Sequence, residues 1–422
     1  ISTNWNVFLR SILRKFKICW QRPTNWKRNL FITWIGCFFV GSSFSLVMPF
    51  LPLYIQGLGV SGGNVELYSG LAFSLPALAS GLVAPIWGRL ADEHGRKVMM
   101  VRASIVMTLT MGGIAFAPNV WWLLGLRLLM GFFSGYIPNS TAMIASQAPK
   151  DKSGYALGTL ATAMVSGTLI GPSLGGLLAE WFGMANVFLI VGALLALATL
   201  LTIFFVHENF EPIAKGEMLS SKEIINKVSN KQILFGLLVT TFIIQITSQS
   251  IEPFVTLYIK TLTTSTNNLM FISGLIVSAV GLSAMLSSSF LGRLGDKYGS
   301  HRLILIGLVF TFIIYLPMAF VQSPLQLGIL RFLLGFGTGA LTPSVNSLLS
   351  KITPKEGVSR IFAYAQMCSN LGMVTGPLVG SAIAGYISYR AAIVGTSLFV
   401  IVNIIWSFIN FRKYLRKRSI ME

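Results

Sequence analysis

The sequence predicts an all-α membrane protein, with twelve transmembrane helices in two pseudo-symmetric six-helix halves. Three observations carry that prediction. Of 422 residues, 54% are hydrophobic and 11% charged, where an ordinary soluble domain has roughly 25% charged residues. The apolar residues fall into twelve runs, most long enough for the ~20 residues of helix that cross a ~30 Å hydrocarbon core. Markers also recur at a fixed offset. Pro49, Gly88, Asp92, Gly95 and Arg127 reappear 204 positions later as Pro253, Gly292, Asp296, Gly299 and Arg331. Beyond one inserted residue the offset is 205, pairing Pro149 with Pro354 and Gly171-Pro172 with Gly376-Pro377. A register held over unrelated markers is a duplication, and function is expected between its two copies.

The elements follow in order. Residues 1–29 hold seven bases and no acid, with Trp5, Phe8, Ile12, Leu13, Phe16 and Trp20 interleaved among them. This reads as a basic amphipathic tail lying on an anionic membrane face, retained because no small-residue cleavage site follows it. The first half, 30–206, contains runs near 30–55, 66–88, 98–117, 120–146, 153–180 and 186–206. A polar connector, 207–230, leads to the second half, 231–411. Its runs lie near 231–260, 268–291, 303–322, 324–350, 359–388 and 391–411, and a basic tail, 412–422, closes the chain.

Charge fixes orientation and removes alternatives. The net charge is +19, yet the bases sit at the ends of apolar runs rather than on a polar surface with aromatic motifs, so nucleic acid is not an expected partner. With the amino terminus inside, 28 bases fall in inner segments and two, Lys260 and Arg390, in outer loops. That split predicts a multi-pass protein of the cell membrane with both termini cytoplasmic. No GxxxxGK[ST] phosphate loop occurs, which argues against a built-in nucleotide motor. His94, His207 and His301 are all in inner loops, none placed by sequence beside a nucleophile and a carboxylate, so hydrolase chemistry has no support. Cys19, Cys37 and Cys368 lack metal-ligand spacing, and no metal or cofactor is expected. What remains is movement of a small solute across the lipid bilayer by a chain expected to act as a monomer.

Several motifs then carry a resemblance. Gly88-Arg89-Leu90-Ala91-Asp92-Glu93-His94-Gly95-Arg96-Lys97 resembles the loop motif GxLADrxGRK of the major facilitator superfamily. Arg127 with Gly131 resembles its RxxxG element, and Gly167, Gly171-Pro172 and Gly175-Gly176 its antiporter motif GxxxGPxxGG, partly repeated at Gly372, Gly376-Pro377 and Gly380. The run Asn25 to Leu30 with Phe44 to Tyr54 is similar to the twelve-span drug:proton antiporters, particularly the PmrA/MdtG branch. The resemblance covers roughly 25–411. It implies the major facilitator fold and export of drug-like compounds by proton exchange; a symporter or facilitator for a nutrient stays open as the alternative. It also implies that Gly88, Arg89, Asp92, Gly95, Arg96 and Lys97, echoed by Gly292, Asp296 and Gly299, form a gating loop whose charges hold one conformation.

The residues add their own expectations. Gly167, Gly171 and Gly175 recur every four positions, so they share a helical face that lets another helix approach closely. Arg127 and Arg331 are charges inside spans and are expected to face protein or water, since mid-bilayer placement costs on the order of 2.5–3.5 kcal/mol. Of thirteen acids, only Glu252 lies well inside a run. Helical spacing puts it on one face with Gln245, Gln249 and Thr256, which marks it as a proton carrier, with Asp92 as a second candidate. Some drug antiporters carry an acid in span one, where this chain has Ser45 and Met48. The expected substrate cavity is lined by Phe38, Met48, Gln245, Gln249 and Glu252.

Overall fold

The structure is a computed structural model that describes residues 26–149, 152–208, 230–263, 268–353 and 358–418. The amphipathic reading of residues 1–25 and most of the connector therefore lie outside the described residues. So do the side chains of Asp92, Ser289, Arg293 and Asp296, those of 358–360 and those of 412–418.

Twelve helices are long and apolar enough to cross a bilayer. They are Trp26–Gly57, Asn64–Ala91, Arg96–Ile114, Val120–Gln147, Ser153–Phe182 and Met184–Phe205 in the first half. The second half has Lys231–Ser250, Leu269–Ser288, Ser300–Met318, Pro324–Ile352, Ile361–Tyr386 and Tyr389–Phe411. These are spans one to twelve, and the protein is a multi-pass membrane protein. The ends follow local chemistry. Asn119 accepts from the Trp122 amide to cap span four, and Ser323, 204 residues on, caps span ten through the Gln326 amide. Proline at the first helical position follows Ser323, where its missing N–H costs nothing.

Each half has its own apolar core. One includes Phe50, Met100, Met107, Met111 and Phe188, the other Phe254, Tyr315, Met318 and Phe411. Side chains such as Phe116, Trp121, Leu325 and Ile387 stand exposed on the outside, as expected where lipid replaces water as solvent.

Three continuous runs break. Span one passes through a 3-10 turn, Met48–Phe50, and span seven ends at Ser250 before a short helix, Val255–Thr261. Pro49 and Pro253 cause both breaks, because each removes the backbone donor that the carbonyl four residues earlier needs. Span four divides into Val120–Phe132 and Tyr136–Gln147. Its counterpart, Pro324–Ile352, is a single helix.

The motif loop is also corrected. Gly88 to His94 is the last stretch of the helix Asn64–His94, and the turn is Gly95 alone, at φ +93°. Gly299, at φ +96°, repeats it after the helix Leu269–Tyr298. Of the glycines in the two motif copies, these two need the backbone freedom of glycine. Gly88 is ordinary helix with open space beside it.

Candidate functional site

The glycine faces do two jobs. A Cβ at Gly167 would lie 2.6 Å from the Phe38 carbonyl, and at Gly171 or Gly175 it would collide with Ser45 or with the Leu46 backbone. The face thus packs span five onto span one of the same half. Gly372, Gly376 and Gly380 pack span eleven onto span seven in the same way, against Gln245, Ile246 and Ser250. The adjoining residues reach across the halves. Gly274 of span eight sits on the Pro172 carbonyl, and Gly176 sits on the backbone of Met270. In the mirrored contact, Gly70 of span two meets the Pro377 carbonyl, where a Cβ would lie 2.8 Å away. Gly70 and Gly274 are themselves 204 residues apart. The sequence reading missed them, although the repeat register pointed to the pair.

Five hydrogen bonds join the halves between described residues, toward the end of the bundle opposite Gly95. Tyr389 donates to Glu66 Oε1 at 2.6 Å, and the Asn268 amide to Glu180 Oε1 at 3.1 Å. Lys260 donates to Gln56 at 3.3 Å, and Ser74 to the Val374 carbonyl at 2.7 Å. Thr256 Oγ1 donates to the Pro49 carbonyl. Glu66 is itself buried. Toward the Gly95 end, large side chains of spans two and eight, such as Leu82, Ile86, Leu286 and Phe290, are exposed. The described polar contacts between the halves are thus gathered at one end.

The Gly95 end of the first half is held by a residue the sequence reading left as a loop acid. Glu208, just after span six, accepts the backbone amides of Arg96 at 3.0 Å and Lys97 at 2.7 Å. A carboxylate on these unpaired amides satisfies the start of span three and matches its dipole. Arg96 donates to the Ala142 carbonyl, and Lys97, nearly fully buried, to the Ile203 carbonyl at 2.9 Å. The two motif bases therefore tie the start of span three to the last turns of spans four and six. Arg89 and Glu93 are exposed at the helix end. In the second half Ser300 and His301 replace the two bases.

Glu252 lies in the span-seven break. Arg331 of span ten meets it, with Nη2 2.5 Å from Oε1. Ser248, Tyr315 and Thr338 share a small cavity of about 60 Å³ with the pair, and Tyr315 donates to the Thr247 carbonyl at 2.9 Å. The expected single face of Gln245, Gln249, Glu252 and Thr256 is therefore corrected. The break redirects Glu252 toward span ten. Gln245 and Gln249 lie against the glycines of span eleven, with Gln245 donating to Ser369 at 2.8 Å. Thr256, beyond the break, is fully buried between the halves. Phe38 is half-buried and stacks parallel to Trp34 at 5.7 Å. Met48 is half-buried against the first core. Arg127 is fully buried, and none of its guanidinium nitrogens has a hydrogen-bond partner among the described residues.

A family model described as Major Facilitator Superfamily matches residues 33–282 and 237–419. The chain is 99% identical over 401 residues to a Lactococcus lactis protein named "Multi-drug resistance efflux pump PmrA homolog", covering 95% of this chain and 99% of the other. It is 52% identical to the Streptococcus pneumoniae "Multi-drug resistance efflux pump PmrA", covering 94% and 99%. It is 46% identical to the Klebsiella pneumoniae "Multidrug resistance protein MdtG", covering 93% and 95%. Among solved structures, the fold is shared with a bacterial homolog of the human lysosomal transporter Spinster in an inward-facing, unoccupied conformation. That match has a TM-score of 0.78 at 12% identity and covers 94% of this chain and 99% of that one. The nucleoside transporter NupG matches with a TM-score of 0.77 at 14% identity, covering 92% and 100%. Motifs, duplicated twelve-span fold and near-complete coverage agree, and the chain belongs to the major facilitator superfamily.

Proposed function

We propose that the chain is a multidrug efflux pump that exports small lipophilic, drug-like compounds in exchange for protons. It works as a monomer in the cell membrane, with both termini on the cytoplasmic side, by alternating access. The observation that supports this reading is the gathering of the described polar contacts between the two six-helix halves at the end opposite Gly95. With the base-rich segments on the cytoplasmic side, these contacts close the outer end, and in this reading the Gly95 end opens to the cytoplasm, where a substrate for export would be collected. The names of relatives at 99% and 52% identity supply the substrate class. The half-buried aromatic pair Trp34 and Phe38 fits an apolar, adaptable wall.

Uphill export needs free energy, and the membrane potential offers roughly 2.3 kcal/mol per charge per 100 mV. In this reading Glu252 carries the proton. When Glu252 is ionised, Arg331 holds it; when a proton binds, Arg331 is released and span ten is free to move against the break in span seven. Asp92 and the Gly95 turn act as the cytoplasmic gate.

The test is dye transport in proteoliposomes under an imposed pH gradient, for wild type and Glu252→Gln. The variant is expected to bind dye and equilibrate it but not to concentrate it. Undiminished uphill transport by Glu252→Gln would remove the assignment.

A further inference from the structure

The break in span four is built differently from the others. Gly135 turns the chain at φ +132°, a conformation that side chains resist. Three residues on, Pro138 has no N–H, so the Ser134 carbonyl loses its helical donor. The freed carbonyls, inside the membrane, must find partners. Trp87 Nε1 of span two donates to the Phe132 carbonyl at 2.7 Å. Arg102 Nη2 of span three donates to the Ser134 carbonyl at 2.9 Å and to the Phe133 carbonyl at 3.4 Å. The Arg102 guanidinium also lies 3.4 Å from the centroid of the Trp87 ring, within the reach of a cation–π contact. Ser134 Oγ donates to Ser80 Oγ at 2.8 Å. A cavity of about 300 Å³ lies beside the break, bordered by Ser80, Trp87, Gly135, Pro138, Asn139 and Ala142.

The duplication supplies the control. At the matching positions the second half has Leu291 for Trp87 and Ile306 for Arg102, while Gly339 and Pro343, the latter at the offset of 205, repeat Gly135 and Pro138; there Gly339 is ordinary helix and the span is unbroken. The donors and the break occur together in one half and are missing together in the other.

We infer that Arg102 and Trp87 are positioning residues of transport. They replace the backbone donors that the break removes, and so make it a pivot on which Tyr136–Gln147 moves independently of Val120–Phe132. The inference rests on the alternating-access reading above, but its test is confined to one half. Spin labels at Leu82→Cys and Thr141→Cys, in a background without the native cysteines, report the inner segment of span four against span two. They do not sense rocking of one half on the other.

In the full-length protein in proteoliposomes, the wild-type distance is expected to have two populations whose ratio shifts with ethidium, used as the probe. Arg102→Gln is expected to slow ethidium export at least tenfold, with its apparent KM within about twofold of wild type. Adding Pro138→Ala supplies the missing backbone donor. The double variant should regain thermal stability while export stays slow and the distance collapses to one population. If export recovers together with stability, Arg102 only patches a packing fault and the inference falls. A single, invariant wild-type distance overturns it equally. Where Arg102→Gln does not reach the membrane, Trp87→Phe keeps the ring, drops the N–H and carries the same test. Failure of uphill transport in wild type, with both distance populations present, would instead count against the proton-driven reading.

Discussion

Arg331 holds Glu252 at 2.5 Å, while Arg127, the same residue 204 positions earlier, is fully buried with no partner for its guanidinium among the described residues. Met48 stands where the second half has Glu252. The duplication has thus kept both cations and only one of the two carboxylates.

The pair predicts a non-additive response. Arg331 is 3% exposed and Glu252 24%, so Arg331→Leu leaves a carboxylate partly buried without its cation. Removing one partner of a buried pair costs about 3–5 kcal/mol, and the partial exposure of Glu252 places this case at the low end. Replacing both by leucine removes the uncompensated charge. The double variant should therefore melt at a higher temperature in detergent than Arg331→Leu alone. A double variant that melts lower than the single one would show the two residues to be uncoupled.

The first half predicts the converse. Met48→Glu supplies a carboxylate at the position that corresponds to Glu252 in the repeat register, in which Arg127 corresponds to Arg331. It should be tolerated and should raise the melting temperature, since it partners a buried charge. The same substitution in an Arg127→Leu background should lower it. Equal shifts in both backgrounds would show that the repeat register does not bring residue 48 to Arg127.

The contrast marks what the sequence could and could not reveal. Twelve spans and the two halves were legible because hydrophobic length is a strong physical constraint on a chain in a bilayer and the repeat register holds over unrelated markers. The breaks in spans one and seven were signalled by Pro49 and Pro253, yet helical spacing was carried through residue 253, and Glu252 was grouped with the wrong neighbours. Arg331 as its partner was unreadable, because the contact joins residues 79 positions apart. Glu208 looked like any connector acid, since its role depends on span six ending beside the start of span three. The span-five glycines did announce a packed face. Which helix fills it, span one of the same half rather than the opposite half, is a three-dimensional fact.

That face yields a graded prediction. A Cβ at Gly175 would strike the Leu46 backbone, which cannot yield without moving span one, whereas at Gly171 it would strike the Ser45 side chain. Gly175→Ala should abolish export and lower expression. Gly171→Ala should be milder and partly rescued by Ser45→Gly, which removes the colliding atoms, while Gly171→Leu should not be rescued. Leu169→Ile, off this face, should be tolerated. Export assays in cells lacking their own pumps rank these variants, and rescue of Gly175→Ala by Ser45→Gly would contradict the assigned contacts.

The contacts between the halves at the end opposite Gly95, the outer end in the proposed orientation, give the last prediction. Glu66, buried, and Tyr389, half-buried, join the two halves through one hydrogen bond. Such a bond contributes about 1 kcal/mol net, rising when an ionised group takes part. Tyr389→Phe deletes it and leaves the ring that stacks on Phe254. If the bond exists only when the outer end is closed, its loss shifts the balance toward the open state by about fivefold, since 1.4 kcal/mol is a factor of ten. Ser381, fully buried beside Gly70, becomes reachable from outside when the outer end opens. In a background without native cysteines, Ser381→Cys should then react several times faster with a membrane-impermeant maleimide in Tyr389→Phe than in the parent. Gly70→Leu, which forces a side chain against the Pro377 carbonyl, should accelerate the same reaction further and stop export. Gly57→Leu, at the same end but with open space around it, should change neither. Labelling rates at Ser381→Cys that are equal in all four backgrounds would mean that these contacts do not hold the outer end shut, and that the closed state is set elsewhere along spans two and eleven.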